Sequence, residues 1–396
     1  MTESSIKRES RSRLLLLNER VAGLIGNGFD WIFRRDRLVT SGRTPFELVY
    51  DSDLMKVRYY DLADETHINL ADGSRMPINR NKYPVPLVLV PPLGVTTETF
   101  DLMPQRSLVR YMAACGFRTY LIDWGTPGRE HAHLGMVDYA DQMYATALEH
   151  IRAHSGSREV SLMGWCMGGL LSLIFQGLNH DPDIRNIVMV ASPINLRGGG
   201  IVAGAAQALN APAHLIRKYT DFRLEKLDPA RLHLPGWMTT LAFKMTDPVG
   251  SVATYWDLVT RLWDREFVVA HSTTANYLNN MLLYPGGVVQ DLTIKMAVDN
   301  DLASGRIVIG DRVAELSEID CPILVFAGET DILVKPPIAQ KIMEIVASQD
   351  KTFRIRPGGH MGVILGSKAP DGVWADSVEW LSERSGPRQT APRKQR

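Results

Sequence analysis

Cys166 stands in a turn of the form Gly-x-Cys-x-Gly, between a short apolar strand pattern at residues 160–163 and an apolar helix pattern. This arrangement predicts a strained strand-to-helix turn that holds a nucleophile at the edge of a sheet. Gly164 and Gly168 fit such a turn because a Cβ at either position would collide with the strand or helix backbone. The N-terminus of the helix would favour the thiolate. Taken alone, the motif also fits a buried structural cysteine.

An acid and a base follow the cysteine in the chain, each after its own strand pattern. Asp331 follows the apolar run that ends at Ala327, and His360 follows the run that ends near Ile355. A nucleophile, an acid and a histidine in this order are typical of the Ser-His-Asp type of triad. We therefore expect His360 to take the thiol proton of Cys166, and Asp331 to orient the imidazole and stabilise its charge. A solvated loop histidine is the alternative for His360 alone.

Backbone N–H groups that could stabilise an oxyanion are predicted at two places. One belongs to Met167, the residue after the nucleophile. The second should come from the loop after Val90, which begins with two prolines. Since proline has no N–H, Leu93 is the first possible donor, with the next two residues as alternatives.

Metal chemistry has little support in the sequence. His150 and His154 stand at positions i and i+4, but no glutamate follows the first histidine and no third ligand is evident. Zinc sites need at least three protein ligands, so a solvated helix face is the simpler interpretation. No metal and no cofactor are expected.

Composition and charge restrict the class of protein. Lys+Arg and Asp+Glu each number 44, which gives no argument for a nucleic-acid partner. Only 3 cysteines are present, too few for a disulfide framework, and this indicates a reducing cytoplasm. We find no signal-peptide pattern, and no apolar run approaches the ~20 residues that span a bilayer.

The alternation of strand and helix patterns predicts an α/β fold with a mostly parallel sheet and a helical insertion. Short apolar runs without alternation suit strands that are covered on both faces. The stretch from 195 to 315 is too long for a connection and contains Pro and Gly breaks, so we expect a helical cap over the active site. The predicted organisation is an N-terminal extension (1–43), a first core part (44–194), the cap (195–315), a second core part (316–385) and a disordered basic tail (386–396).

Apolar residues between Leu14 and Ile32 recur at helical spacing, with polar residues opposite, and predict an amphipathic helix ending near Arg35. Its apolar side is expected to pack on the main domain or on a second subunit. Attachment to a lipid or polymer surface is the alternative.

Taken together, these motifs resemble the polyhydroxyalkanoate synthases, which are cysteine-dependent acyltransferases of α/β-hydrolase fold. The likeness covers most of residues 44–370. The matching segments are residues 44–50 (Thr-Pro-Phe-Glu-Leu-Val-Tyr), 90–92, 111–116, 123–127, the box around Cys166, and 329–331 with 358–361.

The resemblance implies polymerisation of 3-hydroxyacyl-CoA, with acylation of Cys166 by the thioester and release of coenzyme A. By analogy, His360 serves that step and Asp331 assists the 3-hydroxyl of the next unit. The chain is closer in size to synthases that need a partner subunit than to the self-sufficient ones. A homodimer, a partner synthase subunit and a polymer granule surface are the partners that this reading suggests.

One position departs from the family. Where the family has Trp-x-x-Asp before a Pro-Gly, this chain has Tyr277-Leu278-Asn279-Asn280. Loss of that carboxylate bears on polymerisation but not on thiol acyl chemistry. The alternative with the same chemistry is a thioesterase or other acyl-CoA transferase. The alternative from another class of function is a noncatalytic granule-associated binding protein, against which the intact triad argues.

Overall fold

The computed structural model describes residues 3–198, 204, 224–245 and 255–386. Side chains are described from Asn18 onward in the first of these ranges. The predicted basic tail, apart from its first residue, and residues 199–203, 205–223 and 246–254 of the predicted cap therefore lie outside the described residues.

An eight-stranded sheet forms the centre of the molecule. In their order across the sheet, its strands are β1 (Glu47–Asp51), β2 (Lys56–Tyr60), β8 (Thr119–Asp123), β5 (Leu87–Val90), β9 (Val160–Trp165), β10 (Ile184–Val190), β13 (Ile323–Gly328) and β14 (Lys351–Arg356). β1 pairs antiparallel with β2, and β2 pairs antiparallel with β8. The remaining pairs, from β8 to β14, are parallel. This arrangement confirms the predicted α/β class. The other described strands pair in three two-stranded sheets, and they are β3 (His67–Asn69), β4 (Arg75–Pro77), β6 (Asp101–Met103), β7 (Arg106–Ser107), β11 (Arg306–Ile309) and β12 (Arg312–Glu315).

Helices cover both faces of the sheet. The α-helices are α1 (Glu3–Phe33), α2 (Leu108–Ala114), α3 (Tyr144–Ser155), α4 (Met167–Asn179), α5 (Gly236–Met245), α6 (Arg265–Asn279), α7 (Gly286–Asp291), α8 (Asp301–Ser304), α9 (Pro336–Gln340), α10 (Ile342–Ile345), α11 (Gly362–Leu365) and α12 (Ala375–Ser382). On one face, α3, α4, α9 and α10 enclose one apolar core, and on the other α2, α11 and α12 enclose a second.

Alternate residues of each central strand enter the two cores. In β13, Val325 packs in the first core, whereas Leu324 and Phe326 pack in the second. All three side chains are fully buried. This double burial explains why the central strands are continuous apolar runs without alternation.

The segment predicted as a cap is helical in its described part, at α5, α6 and α7. Its last portion differs from the prediction, because β11 and β12 form an antiparallel hairpin. The hairpin packs on helix α4, where Gly177 leaves room for Ala314 and Leu316. This portion supports the core from outside and should not be counted as cap.

Helix α1 does not pack most of its apolar face on the main domain, and a second subunit or a lipid or polymer surface stays the predicted partner of that face. Most of the described apolar side chains of the helix point to solvent; the exposed ones are Val21, Leu24, Ile25, Phe29, Ile32 and Phe33. Its other side contacts residues 262–265, where Asn27 donates to the Leu262 carbonyl at 2.9 Å and Arg265 binds Asp30 at 2.7 Å. Gly23 permits this approach, because a Cβ there would lie 2.7 Å from the carbonyl oxygen of Trp263. Over the described residues, no helix is both long and apolar enough to span a membrane.

Candidate active site

Cys166 occupies the turn between strand β9 and helix α4. Its backbone has φ 52° and ψ −119°, a conformation that non-glycine residues rarely adopt. The turn is fixed by the Cys166 N–H, which donates to the Val190 carbonyl at 2.8 Å, and by the Gly169 N–H, which donates to the Cys166 carbonyl at 3.2 Å. Strain of this kind persists where the surroundings enforce it, often at functional sites. The cysteine is half-buried, so its thiol retains some access.

The two glycines of the motif allow the strand and helix to approach. A Cβ on Gly164 would lie 2.4 Å from the carbonyl carbon of Gly168. A Cβ on Gly168 would lie 2.0 Å from the carbonyl oxygen of Val90, at the end of the neighbouring strand β5. Both atoms belong to the backbone and cannot rotate away, so these positions require glycine.

Asp331 and His360 form a buried pair at the carboxyl ends of β13 and β14. His360 Nδ1 and Asp331 Oδ2 are 2.8 Å apart. The other carboxylate oxygen, Oδ1, accepts the backbone N–H groups of Leu333 and Val334 at 2.9 and 2.8 Å. Because both carboxylate oxygens are occupied by donors, the acid is held in one orientation and fixes that of the imidazole.

The structure brings His360 and Cys166 together. Burial alone would lower the pKa of His360, but the negative charge of Cys166 and the hydrogen bond to Asp331 outweigh it and raise that pKa to about 10. A hydrogen-bonding interaction with the Cys166 side chain raises the pKa of His360 as well. The raised pKa favours a protonated imidazole beside the candidate nucleophile.

The other two cysteines have different surroundings. Burial raises the pKa of the Cys115 thiol to about 12. Burial, followed by the nearby charge of Asp320, raises that of Cys321 to about 12 as well. Both thiols therefore stay protonated at neutral pH and are poor nucleophiles.

Trp165 supports His360 and was not predicted as a site residue. Its indole N–H donates to the backbone carbonyl of His360 at 3.2 Å, and the two ring centroids are 5.4 Å apart. In the sequence, a large apolar residue before the cysteine indicates only the end of a buried strand. The contact depends on the position of a loop almost 200 residues later, so no local signal could reveal it.

The predicted oxyanion donors belong to two segments that meet at one edge of the sheet. Met167 is the first residue of α4, so its N–H has no acceptor within the helix. Leu93 is buried in the loop of residues 91–95, here called the oxyanion loop, which follows β5. Because β5 pairs with β9, this loop and the nucleophile turn meet at the same edge of the sheet.

Residues 277–284 of the cap segment cover this edge. The Leu282 N–H donates to the Gly94 carbonyl of the oxyanion loop at 2.8 Å. Burial raises the pKa of the Tyr277 and Tyr284 phenols, and the nearby charge of Cys166 raises it further. By contrast, Asn280 is exposed, and its side-chain amide donates to Asn276 Oδ1 at 3.0 Å. The position that departs from the family is thus at the surface, whereas the acid and base are buried.

His150 and His154 have protein partners on helix α3. The His150 ring packs on Tyr50, with centroids 4.3 Å apart. His154 Nδ1 is 2.7 Å from the Tyr120 hydroxyl, and its Nε2 is 3.3 Å from Glu47 Oε1. In the part of the chain that the structure describes, no group of three or more His, Cys, Asp or Glu side chains could hold a metal ion.

Comparisons with known proteins agree with this architecture. The family model described as alpha/beta hydrolase fold matches residues 86–367. A solved structure of DcsB with its substrate analogue has a TM-score of 0.50 at 17% identity, covering 86% of this chain and 99% of that one.

Relatives with a stated activity are more specific. The poly(3-hydroxyalkanoate) polymerase subunit PhaC of Haloferax mediterranei is 26% identical over 350 residues, which cover 88% of this chain and 65% of that protein. The subunit of the same name from Allochromatium vinosum is 24% identical over 362 residues, covering 91% of this chain and 94% of that protein. The chain thus spans slightly less than two thirds of the Haloferax protein. It belongs to the alpha/beta hydrolase fold family, and within that family its resemblance to the polyhydroxyalkanoate synthases is confirmed.

Proposed function

We propose that the chain is an acyltransferase that polymerises 3-hydroxyacyl-CoA into polyhydroxyalkanoate through Cys166, His360 and Asp331. The observation that carries the proposal is the strained cysteine turn beside the buried His360–Asp331 pair, whose Nδ1 and Oδ2 atoms are 2.8 Å apart. The relatives of this chain that have a stated activity are polymerase subunits. Coenzyme A enters as part of the substrate, and the chemistry requires no metal or further cofactor.

The first step is acylation of the cysteine. The Cys166 thiolate attacks the thioester carbonyl carbon, and the carbonyl π electrons move to oxygen, where the N–H groups of Met167 and the oxyanion loop stabilise the charge. When the intermediate collapses, the bond to the coenzyme A sulfur breaks. The leaving thiolate takes its proton from the His360 imidazolium, which yields an acyl-cysteine and free coenzyme A.

Chain growth requires a base for the 3-hydroxyl of the next unit. Both oxygens of Asp331 accept hydrogen bonds from protein donors, and the residue is only 3% exposed. His360 is therefore the better candidate for contact with the substrate hydroxyl, and Asp331 acts through it. This assignment modifies the role that the family resemblance implies for Asp331.

Incubation with 3-hydroxybutyryl-CoA tests the proposal, with coenzyme A release and polymer measured together. We expect Cys166→Ala to abolish release, whereas Cys115→Ala and Cys321→Ala retain most of it, because burial keeps those thiols protonated. Substantial turnover by Cys166→Ala would contradict the assignment of the nucleophile.

The same experiment separates the alternatives. Release of coenzyme A with free 3-hydroxybutyrate and no polymer would indicate a thioesterase. Absence of release by the wild-type protein, alone and with a supplied partner synthase subunit, would favour a noncatalytic binding protein. Polymer formation in step with coenzyme A release supports the synthase.

The apolar face of helix α1 supports a further part of the proposal, an association with a partner subunit or a polymer granule. Ile25 and Phe33 are 65% and 70% exposed, which is costly unless another surface covers them. Co-sedimentation with polyhydroxybutyrate particles tests the granule. Ile25→Glu should weaken binding, whereas Val308→Glu, at an exposed apolar position on the hairpin, should not. Equal binding by both variants would exclude this face.

A further inference from the structure

Tyr284 of the cap segment lies directly on the oxyanion loop. Gly94 has φ +79°, and a Cβ there would lie 2.1 Å from Cε2 and 2.6 Å from Cζ of the Tyr284 ring. Cζ is the carbon that bears the hydroxyl, so the polar edge of the ring rests on the loop. Only glycine at position 94 allows this contact.

The backbone around Tyr284 is held firmly. Its N–H donates to the Leu234 carbonyl at 2.9 Å, and its carbonyl accepts the Leu234 N–H at 3.0 Å. Two residues earlier, the Leu282 N–H donates to Gly94 at 2.8 Å. The cap segment is thereby attached to the oxyanion loop, and the direction of the Tyr284 side chain is fixed relative to that loop.

A second tyrosine nearby, Tyr277, differs from Tyr284 in that its hydroxyl has a hydrogen-bond partner in the protein. The Tyr277 hydroxyl is 2.6 Å from Thr99 Oγ1, and the side chain is buried. The Tyr284 side chain is only half-buried, like Cys166, and no described residue hydrogen-bonds its hydroxyl. Its phenol therefore has a donor that is free for a ligand in the cleft.

The protonation state of Tyr284 suits a donor. Burial first, and then the charge of Cys166, raise its pKa above the ordinary value for tyrosine. The phenol consequently keeps its proton throughout the pH range in which the cysteine would react. A neutral phenol can stabilise an oxyanion without transferring the proton to it.

We propose that Tyr284 is a third oxyanion donor, whose phenol O–H hydrogen-bonds the thioester carbonyl oxygen while Cys166 attacks the carbonyl carbon. This inference rests on the proposed acyl transfer. The Cys166 sulfur–carbon bond forms as the carbonyl electron pair moves to oxygen, and Tyr284 holds that charge together with the backbone N–H groups. The phenol keeps its proton when the bond to coenzyme A breaks, and the cap thereby completes the catalytic site.

Single-turnover acylation by 3-hydroxybutyryl-CoA tests the role of Tyr284. We expect Tyr284→Phe to slow acylation by about tenfold to a hundredfold, since loss of an oxyanion donor affects the transition state most strongly. KM should change by less than about threefold, because the lost bond strengthens only as charge develops. Tyr277→Phe is the matched control and should acylate within about threefold of wild type, since its hydroxyl serves Thr99.

Alkylation of Cys166 by iodoacetamide provides the second readout. This displacement forms no oxyanion, so Tyr284→Phe should react at the wild-type rate, which also shows that the site is folded. Three results would overturn the inference: unchanged acylation by Tyr284→Phe, an equal loss in Tyr277→Phe, or a rise in KM at unchanged kcat. If the wild-type protein is alkylated but releases no coenzyme A, the proposed function itself fails, and this inference fails with it.

Discussion

Replacing Trp165 by phenylalanine removes the indole N–H that donates to the His360 carbonyl at 3.2 Å and keeps an aromatic ring beside the imidazole. Trp165 is 1% exposed, so the carbonyl loses its donor in a dry environment. An unsatisfied buried carbonyl costs about 1–3 kcal/mol, more than the net value of a neutral hydrogen bond. If the poorer positioning of the imidazole raises the activation free energy by about 1–2 kcal/mol of that loss, acylation should slow about 5- to 30-fold.

Trp374→Phe is a matched control for this change. The Trp374 indole is also 1% exposed and donates to the Ile364 carbonyl at 3.0 Å. Both variants should lose similar stability in urea unfolding, because each loses one buried donor and part of a ring. Only Trp165→Phe should lose acylation rate, and the loss should be in kcat rather than KM, since the imidazole acts in the transition state.

Two results would refute this reasoning about Trp165. If both variants acylate at the wild-type rate, the contact does not position His360. If both lose rate in proportion to their loss of stability, Trp165 is a structural residue like its control.

Three further predictions concern the acid, the cap and the turn. Because Asp331 contributes to the raised pKa of His360, Asp331→Asn should lower that pKa. Acylation should be lost at alkaline pH as the imidazolium loses its proton, near pH 10 in wild type and at lower pH in the variant. A pH profile of coenzyme A release measures this shift. Asn280→Asp should change the ratio of polymer to coenzyme A by less than about twofold, since the side chain is exposed and a single exposed charge has a small effect. Gly168→Ala should lower the free energy of unfolding by more than about 4 kcal/mol, because the methyl group would meet backbone 2.0 Å away, whereas Gly362→Ala, with open space around it, should not.

The central sheet could be predicted because its strands carry their own signal. Apolar residues such as Leu324 and Val325 face opposite helical layers, so burial on both faces produces a continuous apolar run. The outer parts of the sheet and its hairpins have weaker signals. Strand β1 contains Glu47 and Asp51, and its residues are exposed or half-buried, so its identity depends on pairing with β2.

The positions of Cys166, Asp331 and His360 could also be inferred, because parallel strands fix where their carboxyl ends lie. A residue just after such a strand must be near the same edge of the sheet, whatever the loops between the strands contain. The sequence order of the three groups therefore contained most of the geometry of the candidate triad. The support given by Trp165 could not be inferred in this way, since it depends on the path of the loop that carries His360.

In the cap, the family pattern and the structure draw attention to different residues. The departure at Asn280 draws attention because a carboxylate is expected there, yet this side chain is exposed at the end of α6. Four residues later, Tyr284 lies on Gly94. Burial and then the charge of Cys166 raise the pKa of its phenol. Nothing local distinguishes this tyrosine from a core aromatic residue, because its contact with Gly94 joins two segments that are distant in the sequence. If the cap contributes to chemistry, the change that tests it is therefore Tyr284→Phe rather than a substitution at Asn280.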